Sequence, residues 1–298
     1  MPELPEVENL RLGLEKKILG QKILDISVTK PKLVSGKGTL RDASHKKVKE
    51  FISGLRGEIF KSIERRAKNL IFTTKSGKIL LVHLKMSGQF VYREKDKNLV
   101  SGGHPIEISE TSLPNKHTHV IFTLEKGTLY YNDTRMFGYL LYYPDMSGFE
   151  EHDHFVSLGH EPLSRDFTLQ YFADKLKEKS GKIKPVLMDQ SIVTGLGNIY
   201  ADESLFEAKI RPERSPKSLK KEEVAALYKA ILRILKRAVE IGGSSVATYR
   251  LLDDSRGNYA REHKVYGKSG KLCPVCGRKL KTITLGGRTT VFCPNCQK

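Results

Sequence analysis

Apolar positions along the chain change period twice. Val7, Leu10, Leu14 and Ile18 recur at helical spacing, which predicts a helix over about 3–19 that Gly20 ends. From residue 22 the period becomes two. Leu24, Ile26 and Val28 mark one strand, and further strands are expected near 58–65, 69–74, 78–84 and 89–93. The stretch 118–143 reads as a strand, a turn at Glu125-Lys126-Gly127, a second strand, then Gly138 and a third. The polar insert 95–113, with Gly102-Gly103, reads as a loop. Around 144–156 the composition becomes that of a linker, and its His152 and His154 read as solvated residues in preference to metal ligands. Beyond residue 160 the period returns to helical. Leu169, Phe172 and Leu176 mark one helix, 199–208 a second, and a long one spans about 219–241, with Leu219, Val224, Leu227, Ile231, Leu235 and Ala238 facing a core and Gly242-Gly243 stopping it.

A chain of 298 residues is long enough for two domains with sizeable cores. No apolar run reaches the 18 or so residues that span a bilayer, and the acidic start Met1–Glu8 is unlike a secretory signal. A cytoplasmic protein is expected. Its 52 Lys and Arg stand against 34 Asp and Glu, a net charge of +18, so the natural partner is a polyanion. The cysteines come only as Cys273-Pro-Val-Cys276 and Cys293-Pro-Asn-Cys296, 16 residues apart. In a reducing compartment this spacing suits one tetrahedral Zn²⁺, and four thiolates leave it no open position, so the ion is structural. The segment 268–298 is too small to fold on its own core. It carries seven Lys or Arg and no acid, a candidate grip on a phosphate backbone.

Pro2 alone reads as a helix-start residue. With Met1 removed, though, it is a secondary α-amine, titrating near ~8 and roughly two units below lysine. A free amine of this kind attacks a carbonyl to give a cationic iminium, and the neighbouring Glu3 can act as general acid or base.

Nine short motifs stand in order along the chain. They are Pro2-Glu3-Leu4-Pro5-Glu6-Val7-Glu8, Arg65-Arg66-Ala67-Lys68-Asn69-Leu70, His83-Leu84-Lys85-Met86-Ser87-Gly88, Lys116-His117-Thr118-His119, Asp133-Thr134-Arg135-Met136-Phe137-Gly138, the stretch Asp189-Gln190 to Glu203, Gly242-Gly243-Ser244-Ser245, Val265-Tyr266-Gly267, and Gly287-Arg288 to Gln297. Together, from residue 2 to 297, they resemble the bacterial formamidopyrimidine-DNA glycosylase family. The resemblance implies an α+β, two-domain protein: an N-terminal helix and β-sandwich over 1–147, a linker over 148–157, a helix–two-turns–helix domain over 158–266 and a zinc ribbon over 267–298. It implies a bifunctional glycosylase and AP lyase of base-excision repair, removing oxidised purines (8-oxoguanine and formamidopyrimidines) from duplex DNA by base flipping. It further implies a monomer, in the bacterial cytoplasm with the nucleoid.

Role by role, the resemblance makes Pro2 the nucleophile and Glu3 the proton shuttle, with Glu6 positioning it. Lys68 would contact the lesion phosphate and assist proton transfer, and Arg288 would grip the flanking phosphates and aid β,δ-elimination. Asn198 matches a phosphate-binding asparagine at a helix start. Met86, Arg135 and Phe137 match the wedge that fills the vacated stack, the arginine pairing with the orphaned cytosine. His83, His117, Lys179 and Tyr266 match backbone contacts. Two positions depart from the pattern. Met136 stands where a basic residue is usual, an expected loss of one phosphate contact, and Ala247 stands where an arginine is usual in the loop over the flipped base. Two other readings remain: an endonuclease VIII-like enzyme for oxidised pyrimidines, against which Leu4 and the wedge speak, and a zinc-ribbon DNA-binding protein without catalysis.

Overall fold

A buried capping box opens the first helix. Glu3 is the N-cap residue of α1 (Leu4–Ile18), its side chain taking the N3 amide while Glu6 takes the Glu3 amide at 2.9 Å. This computed structural model describes residues 1–36, 42–95, 99–103, 113–150, 153–244 and 257–298. Within it the chain divides into two compact units, Met1–Val156 with Gly242–Gly257, and Ser157–Ile241 with Asn258–Lys298. Of the stretch after residue 241, the described residues Gly242–Ser244 and Gly257 group with the first unit.

The first unit follows α1 with β1 (Ile23–Val28), α2 (His45–Leu55), β2 (Phe60–Arg66), β3 (Asn69–Thr74), β4 (Ile79–His83), β5 (Gly88–Glu94), β6 (Leu99–Gly103), β7 (Thr118–Leu124), β8 (Gly127–Asp133) and β9 (Tyr139–Tyr143). Two antiparallel sheets form, in the orders β1-β7-β8-β5-β6 and β2-β3-β4-β9. Alternate residues of both close one core, among them Phe72, Leu80, Val82, Phe90, Phe122 and Tyr131. This is the expected sandwich. β4 is buried on both faces, because Ile79 and Leu81 join Phe149 in a second cluster outside the sheet.

Four local readings change. The strand pattern on Leu24 fails because the pairing of β1 with β7 slips between Ile23 and Asp25, so Ile23 turns inward and Leu24 is exposed. The helix α2 was not expected, although Val48, Phe51, Ile52 and Leu55 have helical spacing and Ser44 caps it by accepting the Lys47 amide. The insert 95–113 contributes the edge strand β6, while 96–98 and 104–112 lie outside the described residues. The stretch read as linker carries two short helices, α3 (Met146–Glu150) and α4 (Asp153–Val156). His152 lies outside the described residues.

The second unit contains α5 (Leu169–Lys177), α6 (Ile183–Leu187), α7 (Asn198–Glu207), α8 (Lys221–Glu240), α9 (Tyr259–Glu262) and the hairpin β10 (Lys281–Leu285) with β11 (Arg288–Phe292). Phe172, Leu187, Tyr200, Leu227, Ile231 and Leu235 form its core. The hairpin has a two-residue Gly286-Gly287 turn with φ of +54° and +71°, a conformation that favours glycine at both positions. No helix among the described residues is long and apolar enough to cross a membrane.

Candidate active site and nucleic-acid interface

Pro2, Glu3 and Glu6 are all buried at the start of α1. Glu6 joins two chain segments: one oxygen takes the Glu3 amide at 2.9 Å and the other the Ser244 amide at 2.7 Å. Gly243, at φ +76°, lies against that second oxygen, where a Cβ would approach to 2.8 Å. Ala247 lies outside the described residues. α1 packs on β2 and β3, whose two-residue turn is Ala67-Lys68. Ala67 takes φ +56°, a left-handed value that costs a non-glycine residue about 1 kcal/mol. Lys68 is buried at this turn.

Two further loops hold the residues expected to form the wedge. Leu84–Ser87 links β4 to β5 and carries half-buried Met86; Thr134–Gly138 links β8 to β9 and carries Arg135 and Phe137, both exposed. The Arg135 guanidinium lies 4.6 Å from the centre of the Phe137 ring, and that ring is 46% exposed. Met136 between them has φ +52° and packs on the sandwich core. Its apolar side chain, set on the core, anchors the loop between the exposed Arg135 and Phe137. His83 is buried, its Nδ1 accepting the Lys85 amide at 2.9 Å, and is set against Tyr139. His117 is half-buried and its carbonyl takes the Asp133 amide.

In the second unit Asn198 begins α7, directly after a loop that Gln190 braces by accepting the Gly195 amide and donating to the Met188 and Leu196 carbonyls. The Asn198 Oδ1 is buried and unpartnered among the described residues. Lys179 is ion-paired with Asp189 at 2.9 Å. Tyr266 is half-buried, and its amide donates to Glu203. Arg288 is exposed at the tip of the glycine turn.

Residues outside the expected set hold these in place. Lys184 and Asp202 form a fully buried ion pair at 2.7 Å. The Lys184 ammonium also donates to the Thr289 carbonyl and the Thr290 hydroxyl, and Asp202 takes the Val291 amide, so the pair fastens the strand that begins at Arg288. Burial pushes the Asp202 carboxyl up to about 6 against the pull of Lys184, which leaves it ionised at neutral pH. Replacing Lys184 with Met strands that carboxylate, and a loss of about 3–5 kcal/mol is expected in chemical denaturation of the second unit; a variant as stable as wild type would contradict it. Glu203 accepts the amides of Lys264, Val265 and Tyr266, while burial holds its carboxyl above the ordinary range. Spacing does not mark Asp202 and Glu203, because the same helix also carries Asn198, Ser204 and Glu207.

His263 packs edge-on to Tyr259 and Tyr266, and burial pushes its imidazole down to about 4. The unfolded chain, titrating near ~6.5, takes the proton first, so this contribution is full above that pH and is lost as pH falls towards 4. Melting of wild type against His263→Phe checks this. The variant should gain relative stability as pH drops from ~6.5 to ~4, with Asp202 titrating in both and cancelling; a constant difference would refute it.

The four cysteines converge. Their sulfurs all lie within 4.8 Å of one another, with Cys273 to Cys296 at 3.8 Å and Cys276 to Cys293 at 3.5 Å. Tetrahedral thiolates about 2.3 Å from zinc have sulfur–sulfur edges of about 3.8 Å, so the arrangement fits that ion. Gly277 at φ +71° closes the first knuckle by donating to the Cys273 carbonyl. Gln297 ties the second to the body, accepting the Cys293 amide and donating to the Ile210 carbonyl.

A helix-led antiparallel sandwich carrying buried acids at its first turn, and a helical unit ending in a four-cysteine hairpin, define a DNA glycosylase of the helix–two-turns–helix class. The family descriptions agree along the chain: the formamidopyrimidine-DNA glycosylase N-terminal domain matches residues 1–140, its H2TH domain 158–250, and the zinc finger found in FPG and IleRS 270–298. Formamidopyrimidine-DNA glycosylases of Desulfitobacterium hafniense and Listeria monocytogenes are 39% and 40% identical, with all of both chains covered in each comparison. A Lactococcus lactis Fpg in complex with abasic-site DNA is 36% identical with a TM-score of 0.84, covering 99% of each chain. A MutM in complex with DNA containing carbocyclic 8-oxo-G is 36% identical with a TM-score of 0.84 over the whole of both chains. The chain belongs to the formamidopyrimidine-DNA glycosylase family and is an enzyme, a DNA glycosylase. Its cysteine cluster is a structural site for one zinc ion.

Proposed function

We propose that this enzyme removes oxidised purines from duplex DNA through a Schiff base on Pro2. The observation that carries the proposal is the first turn of α1, where Pro2 precedes a buried capping box of two carboxylates. With Met1 removed, the Pro2 nitrogen attacks C1′, the glycosidic bond breaks, and the base leaves with a proton. The cationic iminium acidifies the adjacent C2′–H; loss of that proton expels the 3′ phosphate, and loss of a second proton, from C4′ of the unsaturated iminium, expels the 5′ phosphate. Glu3 protonates the sugar-ring oxygen as it opens and shuttles later protons. Glu6 keeps Glu3 in place through the 2.9 Å bond to its amide.

The remaining assignments concern DNA. Lys68 contacts the lesion phosphate and assists proton transfer, and Arg288 takes flanking phosphates in a bidentate grip. Met86 and Phe137 fill the stack that the flipped base leaves, and Arg135 pairs with the orphaned cytosine. His83, His117, Lys179, Asn198 and Tyr266 contact the backbone, Lys179 by exchanging Asp189 for phosphate. The neighbours bound to Fapy-dG DNA and to 8-oxo-G DNA support the purine reading. The protein acts as a monomer in the cytoplasm.

Single-turnover assays on duplexes with 8-oxoguanine or an oxidised pyrimidine opposite their normal partners test this. Excision and strand cleavage should favour 8-oxoguanine opposite C. Preference for the pyrimidine would place the enzyme in the other branch, and binding without excision would reduce it to a DNA-binding protein.

A further inference from the structure

The two loops that carry the wedge share one buried side chain. Asp133, fully buried at the end of β8, receives four hydrogen bonds. Its Oδ1 takes the Ser87 hydroxyl at 2.5 Å and the Arg135 amide at 3.2 Å; its Oδ2 takes the Gly138 amide at 2.7 Å and the Tyr131 hydroxyl at 3.4 Å. The Ser87 hydroxyl in turn accepts the Arg135 amide at 3.1 Å. Ser87 ends the Met86 loop; Arg135 and Gly138 lie in the loop that presents Arg135 and Phe137. A Cβ on Gly138 would sit 1.8 Å from the Tyr131 hydroxyl, so the second loop closes directly onto this group.

The energetics explain why an acid stands there. A buried carboxylate costs several kcal/mol unless donors replace its hydration. All four donors here are neutral, and Asp133 makes no ion pair among the described residues. Each loop also holds a non-glycine residue in the left-handed region, Lys85 at φ +50° beside Met86 and Met136 at φ +52° between Arg135 and Phe137. Such backbone persists only where its surroundings over-determine it.

Resting on the wedge roles proposed above, we propose that Asp133 is the positioning residue of the wedge, a single carboxylate that locks the Met86 loop to the Arg135–Phe137 loop and so sets how the enzyme reads the base opposite the lesion. An asparagine would keep the volume but turn an NH₂ against an N–H or O–H donor, releasing one loop.

The test compares wild type, Asp133→Asn and Ser87→Ala by equilibrium binding to duplexes with a tetrahydrofuran abasic analogue opposite C and opposite A. Excision of 8-oxoguanine and strand cleavage at a preformed abasic site are measured alongside. Asp133→Asn should lose about tenfold of the C-over-A preference and Ser87→Ala about threefold, with cleavage at the preformed abasic site changed less than excision. A wild type without preference for C, an unchanged C-to-A ratio in both variants, or equal weakening on both duplexes would overturn the inference. Should Asp133→Asn not fold, Ser87→Ala decides. A wild type that excises no lesion would sink the proposed function instead, and the binding ratio would still read the role of Asp133.

Discussion

Glu3→Gln lowers base excision by about 10²–10⁴-fold and leaves the fold intact, because only the transferable proton is lost. Glutamine retains an oxygen that can accept the N3 amide, so the helix start survives. The Glu3 amide remains bound to Glu6. Pro2 is also untouched, so a preformed abasic site, already an aldehyde, should still be captured. The measurement is single-turnover excision from an 8-oxoguanine duplex, with melting temperature as the control. Excision at the wild-type rate would remove Glu3 from the chemistry. Equal losses in excision and in abasic-site capture would point to a displaced Pro2.

The second large effect is expected at the metal. The hairpin β10–β11 and its knuckles share a small core of Val265, Leu280, Val291 and Phe206 with the cysteines themselves. Zinc binding, on the order of 10 kcal/mol for structural sites, is therefore the main force ordering this segment. Cys293→Ser or chelation should melt it, release Arg288 from its turn and weaken DNA binding by about 100-fold or more at physiological salt. The dependence of affinity on salt should flatten as well, since phosphate contacts made by the seven basic residues are lost. Unit 1, which holds Pro2 and Lys68, should melt as before. Chelated protein that binds DNA with unchanged affinity would show that the ribbon is no grip.

Periodicity made most of the fold legible. The first helix, eight of the sandwich strands and the long helix α8 follow from spacing, because each buries a face whose period is intrinsic to its backbone. The two cysteine knuckles were equally plain, since paired thiolates at that spacing suit one tetrahedral ion. What escaped depends on partners that spacing does not reveal. Leu24 turns outward because a bulge shifts its register against β7. β6 exists by pairing with β5, through a segment whose composition reads as loop. α2 had helical spacing and a serine cap, but only 11 residues and a strongly basic first turn obscured them.

The site shows the same division. Residues whose chemistry is distinctive, such as an N-terminal proline beside an acid or paired cysteines, could be singled out from the chain. Residues that act by holding others could not. Met136 reads as a missing basic residue in sequence, and its packing on the core shows only in the fold. Asp133, Lys184, Asp202 and Glu203 are ordinary charged residues in sequence, and their burial and hydrogen bonds alone give them a role.

The most direct measurement is borohydride reduction of the enzyme on duplex DNA with 8-oxoguanine opposite C, followed by mass mapping of the cross-linked peptide. The account predicts a stable adduct on the N-terminal nitrogen of chains that begin at Pro2, and none on chains that retain Met1. An adduct on a lysine, Lys68 included, or on chains that still carry Met1, would contradict it.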